Sequence, residues 1–204
     1  MARAFLDLYR SSAERKWLSQ AESAMQFIQK NFQDASGAGF ITSKIPQDAS
    51  GVFLKPVRQI DENVVMVRLG NLLFHYTGKE EYKSMAQQAM KYLTSPDIIE
   101  RNHFLAGILI TNQEMGSEPA HVTIVGKKNS AEAKALFAEA LQYPSVYKRV
   151  EWWDSTEGLL PNPDVKYPEL AKPAAFLCAD KVCSIPSFTP EKLKKTILRR
   201  TTSP

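Results

Sequence analysis

The chain has 204 residues, enough for one good-sized core or two small ones, and its 44% apolar and 24% charged content is that of an ordinary globular protein. No apolar run approaches the roughly 18 residues that a bilayer-crossing helix needs. Two cysteines and three scattered histidines (His75, His103, His121) are too few for a disulfide-rich scaffold or a closed zinc site, so neither metal nor cofactor is expected.

From Met1 the chain moves straight into helical spacing, with no basic-then-apolar signal pattern, and a cytoplasmic location is expected. Between residues 13 and 33, Trp17, Ala21, Ala24, Met25, Ile28 and Phe32 recur at steps of three and four, one face of a helix of about five turns. Asp34 to Gly39 stops it, Phe40-Ile-Thr reads as a short extended piece, and Pro46, Gly51 and Pro56 make residues 44–60 a loop. A second helix begins at Asp61 as N-cap, with Val65, Leu69, Leu72, Leu73 and Tyr76 inward and Gly78 at its end. A third follows at once through Tyr82, Met85, Ala86, Ala89, Met90 and Leu93, and so short a link makes the two antiparallel. Ser95-Pro96 opens a fourth helix with Ile99, His103, Ala106 and Ile110 on one line.

After Gly116 the period changes, and a boundary near residue 117 separates a helical-hairpin region (1–116) from a small α/β subdomain (117–204). His121 to Val125 is a strand, Ala133, Leu136, Phe137, Ala140 and Leu141 mark a helix, and Val146 to Trp152 is a second strand. A connection of about 20 residues carries Pro161, Pro163, Pro168 and Pro173; a loop so long is functional or packed across a neighbour. Two short strands, Ala174 to Cys178 and Val182 to Ile185, flank Asp180-Lys181, and a last helix has Thr189 as N-cap with Leu193 and Ile197 inward. The basic residues Lys192, Lys194, Lys195, Arg199 and Arg200 suit the negative end of that helix, without the interleaved aromatics of a nucleic-acid surface. The class is therefore α+β. The order of elements is a thioredoxin-like topology with its middle helix replaced by the Pro-rich loop, or equally a generic α/β sandwich.

Three groups of residues could carry chemistry. If Asp180-Lys181 is a two-residue turn, Cys178 faces Cys183 as a candidate disulfide: a dithiol that opens and closes, or a structural or simply reduced pair buried as small hydrophobes. The position where a thioredoxin carries Cys-x-x-Cys at a helix start here reads Gly126-Lys-Lys-Asn-Ser130, which argues against an active dithiol-exchange site. Asp61 and Glu62 are candidate acid–base carboxylates for a sugar, although an N-cap with a dipole-favoured acid beside it explains them equally. Asn63 and Trp153 are candidate binding residues, Trp153 as part of an aromatic platform with Tyr143, Tyr147 and Tyr167; Trp152 and Trp153 point to opposite faces of a strand, so one at most serves a given surface.

Leu8-Tyr9 through Trp17-Leu18, Phe32 through Phe40, Asp61-Glu-Asn63 through His75-Tyr-Thr-Gly78, His121 through Gly126, and Cys178 through Pro186 together resemble one family. It is the thioredoxin-domain-containing family that includes the bacterial YyaL-type and the spermatogenesis-associated thioredoxin-like proteins. The resemblance implies later hairpins of an (α/α)6 toroid, similar to six-hairpin glycosidases and sugar 2-epimerases, followed by a C-terminal piece. The family's N-terminal thioredoxin-like domain and early hairpins have no counterpart in these 204 residues, so a sugar cavity would be incomplete. Asp61 and Asn63 match its helix-opening motif, and Cys178 and Cys183 its terminal cysteine pair, with no catalytic role attached to them.

The first expectation is a non-catalytic scaffold or interaction module, whose partner is a thioredoxin-like domain or a second copy of the chain. The alternatives are a carbohydrate-active toroid of epimerase or glycosidase type, and a thiol redox role through Cys178 and Cys183. Membrane and nucleic acid are not expected partners.

Overall fold

The computed structural model describes the chain except residues 35–36, 102–104, 180–181 and 202–204. It is α+β, and the described residues divide into two compact units. The first comprises Met1–Leu6, Arg15–Phe74 and Lys79–Gly116; the second comprises Asp7–Glu14, His75–Gly78 and Ser117–Pro204. The second therefore takes in two short stretches of the helical region besides the residues after 117.

Helix α1 (Ala2–Ser12) ends at Ala13, whose φ of 56° is left-handed and cannot continue an α-helix. The helix expected over residues 13–33 consequently starts at Arg15, as α2 (Arg15–Phe32), and it buries Leu18, Ala21 and Met25. A single 3-10 turn, Gly51–Leu54, interrupts the loop that follows. Helix α3 (Ile60–Thr77) starts one residue before Asp61, which is therefore a first-turn residue and not the cap. Met66 and Val67 are buried in α3 while Val65, expected inward, is 48% exposed. Helix α4 (Glu80–Leu93) buries Tyr82, Met85, Ala86, Ala89 and Leu93. It packs so closely on α3 that a Cβ added at Gly70 would lie 2.8 Å from the Tyr82 carbonyl oxygen. The expected fourth helix is described as two, α5 (Pro96–Arg101) and α6 (Ala106–Met115); His103 lies outside the described residues. Ile99 and Ile110, expected on one inward line, are 48% and 42% exposed. Among the described residues no helix is long and apolar enough to cross a membrane.

The second unit is built on strands β1 (Ala120–Val125), β2 (Lys148–Trp153), β3 (Ala174–Ala179) and β4 (Val182–Cys183), with α7 (Ala131–Leu141) between β1 and β2 and α8 (Pro190–Thr201) after β4. The sheet order is β2-β1-β3-β4, with β1 parallel to β2 and antiparallel to β3, and β3 antiparallel to β4. Strand alternation sends Val122, Ile124, Val150, Trp152, Ala175 and Leu177 to one face, where Ala133, Leu136, Phe137 and Ala140 of α7 and Leu193 and Ile197 of α8 close the core. Ser130 caps α7 by accepting from the Ala133 N–H. Gly126 leaves β1 at φ 145° with Pro173 against it, a backbone path and a contact that both require glycine. The outer edge of β2 is closed by the Tyr76 hydroxyl, which accepts from the Val150 N–H at 3.0 Å.

Candidate functional site

The opposite face of the same sheet carries polar residues. The registers align Arg149 on β2 with His121 on β1, His121 with Cys178 on β3, and Cys178 with Cys183 on β4. Partners across a sheet point to the same side, so these four side chains form one row spanning all four strands. The next row on this face is Glu151, Thr123 and Phe176, and the one after it Trp153, Val125 and Ala174. Near the first row the face is polar; farther along, Val125, Ala174 and Phe176 pack with Trp153 and Tyr167.

Glu151, fully buried, is the hub of the polar part. Its carboxylate lies 2.5 Å from Arg149 Nε and 3.1 Å from His121 Nε2, and it accepts a hydrogen bond from the Tyr9 hydroxyl at 3.4 Å. The Arg149 guanidinium also donates to Asp164 at 2.6 Å and to the Asn162 carbonyl at 3.1 Å, with the Tyr76 ring beneath it. Burial alone would favour an uncharged Arg149, but the Glu151 and Asp164 carboxylates outweigh it and raise its pKa, so the guanidinium stays charged. Thr123 Oγ1 is 2.8 Å from His121 Nε2 and accepts from the Tyr167 hydroxyl at 2.8 Å. Burial raises the pKa of Tyr167, and burial reinforced by the Glu151 charge raises that of Tyr76, so both phenols stay neutral donors.

Cys178 and Cys183 are joined as a disulfide with Cα atoms 4.0 Å apart. Cys178 is 6% exposed, whereas Cys183 on the edge strand is exposed. The turn at Asp180-Lys181 lies outside the described residues. The disulfide borders a cleft of about 390 Å³, together with His75, Glu118, His121, Arg149 and Asp164. A thiolate can attack a disulfide sulfur that it can reach, and His121 is the direct cross-strand neighbour of Cys178. Among the described residues no group of three or more His, Cys, Asp or Glu side chains is arranged to hold a metal ion.

The remaining candidates stand elsewhere. Asp61 and Glu62 are exposed in the first turn of α3 and border a cleft of about 440 Å³ in the first unit, with Phe32, Phe40 and Met66. Glu62 accepts a hydrogen bond from the Thr42 hydroxyl at 2.8 Å. Asn63 is fully buried and committed to backbone: its Oδ1 accepts from the Phe40 N–H, and its Nδ2 donates to the Phe40 and Gln59 carbonyls. That amide clamps the chain before α3 and offers no group to a ligand. Trp153 borders two clefts of about 310 and 320 Å³ and sits 6.4 Å from the Tyr167 ring. Tyr147 instead pairs with His75, so of the three tyrosines near it in sequence the Trp153 platform has Tyr167 as a ring partner.

From the sequence, no role is assigned to Arg149, Glu151 or Asp164, and His121 is placed at the start of a strand without a chemical role. The available signal was the alternation His121-x-Thr123 and Arg149-x-Glu151 in otherwise apolar strands. No family model matches the chain, and no curated protein matches it.

Proposed function

We propose that the second unit is a thiol–disulfide exchange module whose working group is Cys178–Cys183. One observation carries this reading: the disulfide forms part of the wall of a cleft shared with His121 and Arg149, and one of its sulfurs belongs to an exposed residue. A closed ring this small adds little stability, about 2 kcal/mol by loop entropy, so opening it leaves the fold intact. The strand order, with α7 joining the parallel pair and α8 after the edge hairpin, supports a thioredoxin-like topology and the kinship with thioredoxin-domain-containing proteins. In this reading the exchanging pair has moved from the start of α7, where Gly126 to Ser130 stand, to the β3–β4 hairpin. The test is equilibration of the native chain in glutathione buffers of graded ratio, with thiols counted by alkylation and mass. Reversible, two-electron opening in the folded protein is expected. A disulfide that resists excess dithiothreitol until the protein is denatured refutes the proposal.

The interaction-module reading has its own support in the first unit, where Val52, Phe53, Leu54 and Val57 are 76%, 73%, 57% and 59% exposed within one short loop. Val52→Ser with Phe53→Ser tests it: loss of concentration-dependent association in sedimentation supports the reading, and sedimentation identical to the unaltered chain counts against it.

A further inference from the structure

We infer that the disulfide opens from the Cys183 side and that His121, held by Glu151, is the base that delivers a small thiol to it. The inference rests on the exchange reading above and adds the direction of attack, the proton acceptor and the class of reductant.

The hydrogen-bond inventory determines the state of the imidazole. Glu151 is ion-paired with Arg149 as a carboxylate, which accepts hydrogen bonds and donates none. The nitrogen facing it, His121 Nε2, therefore carries the ring proton and shares it between Glu151 at 3.1 Å and the Thr123 hydroxyl oxygen at 2.8 Å. Nδ1 keeps its lone pair, and no hydrogen bond to it exists among the described residues. A carboxylate behind an imidazole fixes its tautomer and orientation, the arrangement of an orienting group, a base and a nucleophile. The sulfur in this arrangement is next in the row. His121 and Cys178 are direct partners on antiparallel strands, so their Cβ atoms are about 4.5–5.5 Å apart. Both line the cleft, and the His121 side chain is only 7% exposed, which shields it from bulk water.

The two sulfurs are unequal in the way an exchange reaction needs. Cys183 belongs to an exposed edge strand; Cys178 is buried against the base. A thiol entering the cleft gives its proton to His121 Nδ1, and the resulting thiolate attacks Sγ of Cys183. The Sγ–Sγ bond breaks, and its electron pair stays on Sγ of Cys178, which leaves as a thiolate beside the new imidazolium. Glu151 balances that imidazolium through Nε2–H. A second thiol attacks the mixed disulfide, its proton going to Sγ of Cys183. Two thiols are oxidised to one disulfide while the protein disulfide is reduced by two electrons. The cleft volume of about 390 Å³ suits a low-molecular-weight thiol and not a folded protein.

The experiment uses the oxidised full chain at neutral pH with reduced glutathione as probe, quenched by acid and alkylated. Mass mapping is expected to find the glutathione adduct on Cys183 with Cys178 free; an adduct on Cys178 overturns the inference. His121→Gln keeps a donor toward Glu151 but has no base, and opening is expected to slow about 100-fold, the low end for a positioned acid–base group. His121→Ala is expected to recover part of its rate when imidazole is added, which a structural role alone would not produce. Opening at the unaltered rate in His121→Gln, or no recovery with imidazole in His121→Ala, overturns it. If the unaltered protein does not open while folded, the exchange reading fails with it; if it opens without regard to His121, only the inference fails.

Discussion

On the helix-covered face of the sheet, Val122, Ile124, Val150 and Leu177 are fully buried among apolar neighbours. On the other face, one residue along in the same strands, His121, Thr123, Arg149 and Glu151 are buried to nearly the same degree. The first face gains from removing carbon from water, about 1.5–3 kcal/mol for each large side chain. The second gains little net free energy, because every buried charge loses hydration and recovers it only through its partners. Equal burial therefore stands for opposite energetics. A face that is costly to assemble and adds little to stability is one retained for its chemistry, and it is the face that holds the disulfide.

The largest effect tests this difference directly. Arg149→Met leaves Glu151 buried with only His121 and Tyr9 and is expected to cost about 3–5 kcal/mol in urea unfolding. Arg149→Met with Glu151→Leu removes both charges and is expected to recover most of that loss, while slowing the glutathione-driven opening by no more than His121→Gln does. If the double variant is as unstable as the single one, the charged row contributes to stability as the apolar face does, and the contrast drawn above fails. On the apolar face Leu136→Ala is expected to cost about 3 kcal/mol with the same midpoint for glutathione opening. A shifted midpoint in that variant would mean the two faces are coupled.

How much of this contrast is legible in the sequence differs between its halves. The apolar face follows from local period alone: Ala133, Leu136, Phe137 and Ala140 at helical spacing are all buried. Their environment requires only that some sheet lie beneath them. The polar row depends on which strand pairs with which and in what register. Arg149 is 28 positions from His121, and Cys178 is 57 from it; no local pattern states that they align. The Cys178–Cys183 pairing is readable because only two residues separate Ala179 from its partner Val182, so the register is set locally. Misplaced expectations in the helices have a related origin. Val65 fits an inward stripe by spacing, yet the first turns of α3 bury Asn63, Met66 and Val67, with Asn63 hydrogen-bonded to the Phe40 backbone. Ala13 carries no sequence mark of the left-handed conformation that separates α1 from α2.

The smallest effect concerns the phenols that close the polar face. Tyr76 accepts from the Val150 N–H and is fully buried, and burial followed by the Glu151 charge raises its pKa. Tyr167 is raised for the same first reason, as is Tyr82 in the first unit, where burial is reinforced by Glu22. An acid held protonated by the fold binds its proton above the pH at which the unfolded chain releases it, near 10 for tyrosine. Below that pH both states are protonated and the contribution to stability is complete and constant. Above it the unfolded state holds fewer protons, so stability falls with rising pH until the folded-state pKa is passed. The slope is at most about 1.4 kcal/mol per pH unit for each such group. Urea midpoints between pH 8 and 11.5 are expected to be flat to about pH 10 and then decline. Tyr76→Phe is expected to cost about 1–2 kcal/mol at pH 8, because the Val150 N–H loses its acceptor, and to flatten the decline above pH 10. An unchanged alkaline slope in that variant would show that Tyr76 ionises as readily folded as unfolded. The neutral phenol would then not be what seals the edge of β2 beside Arg149 and Glu151.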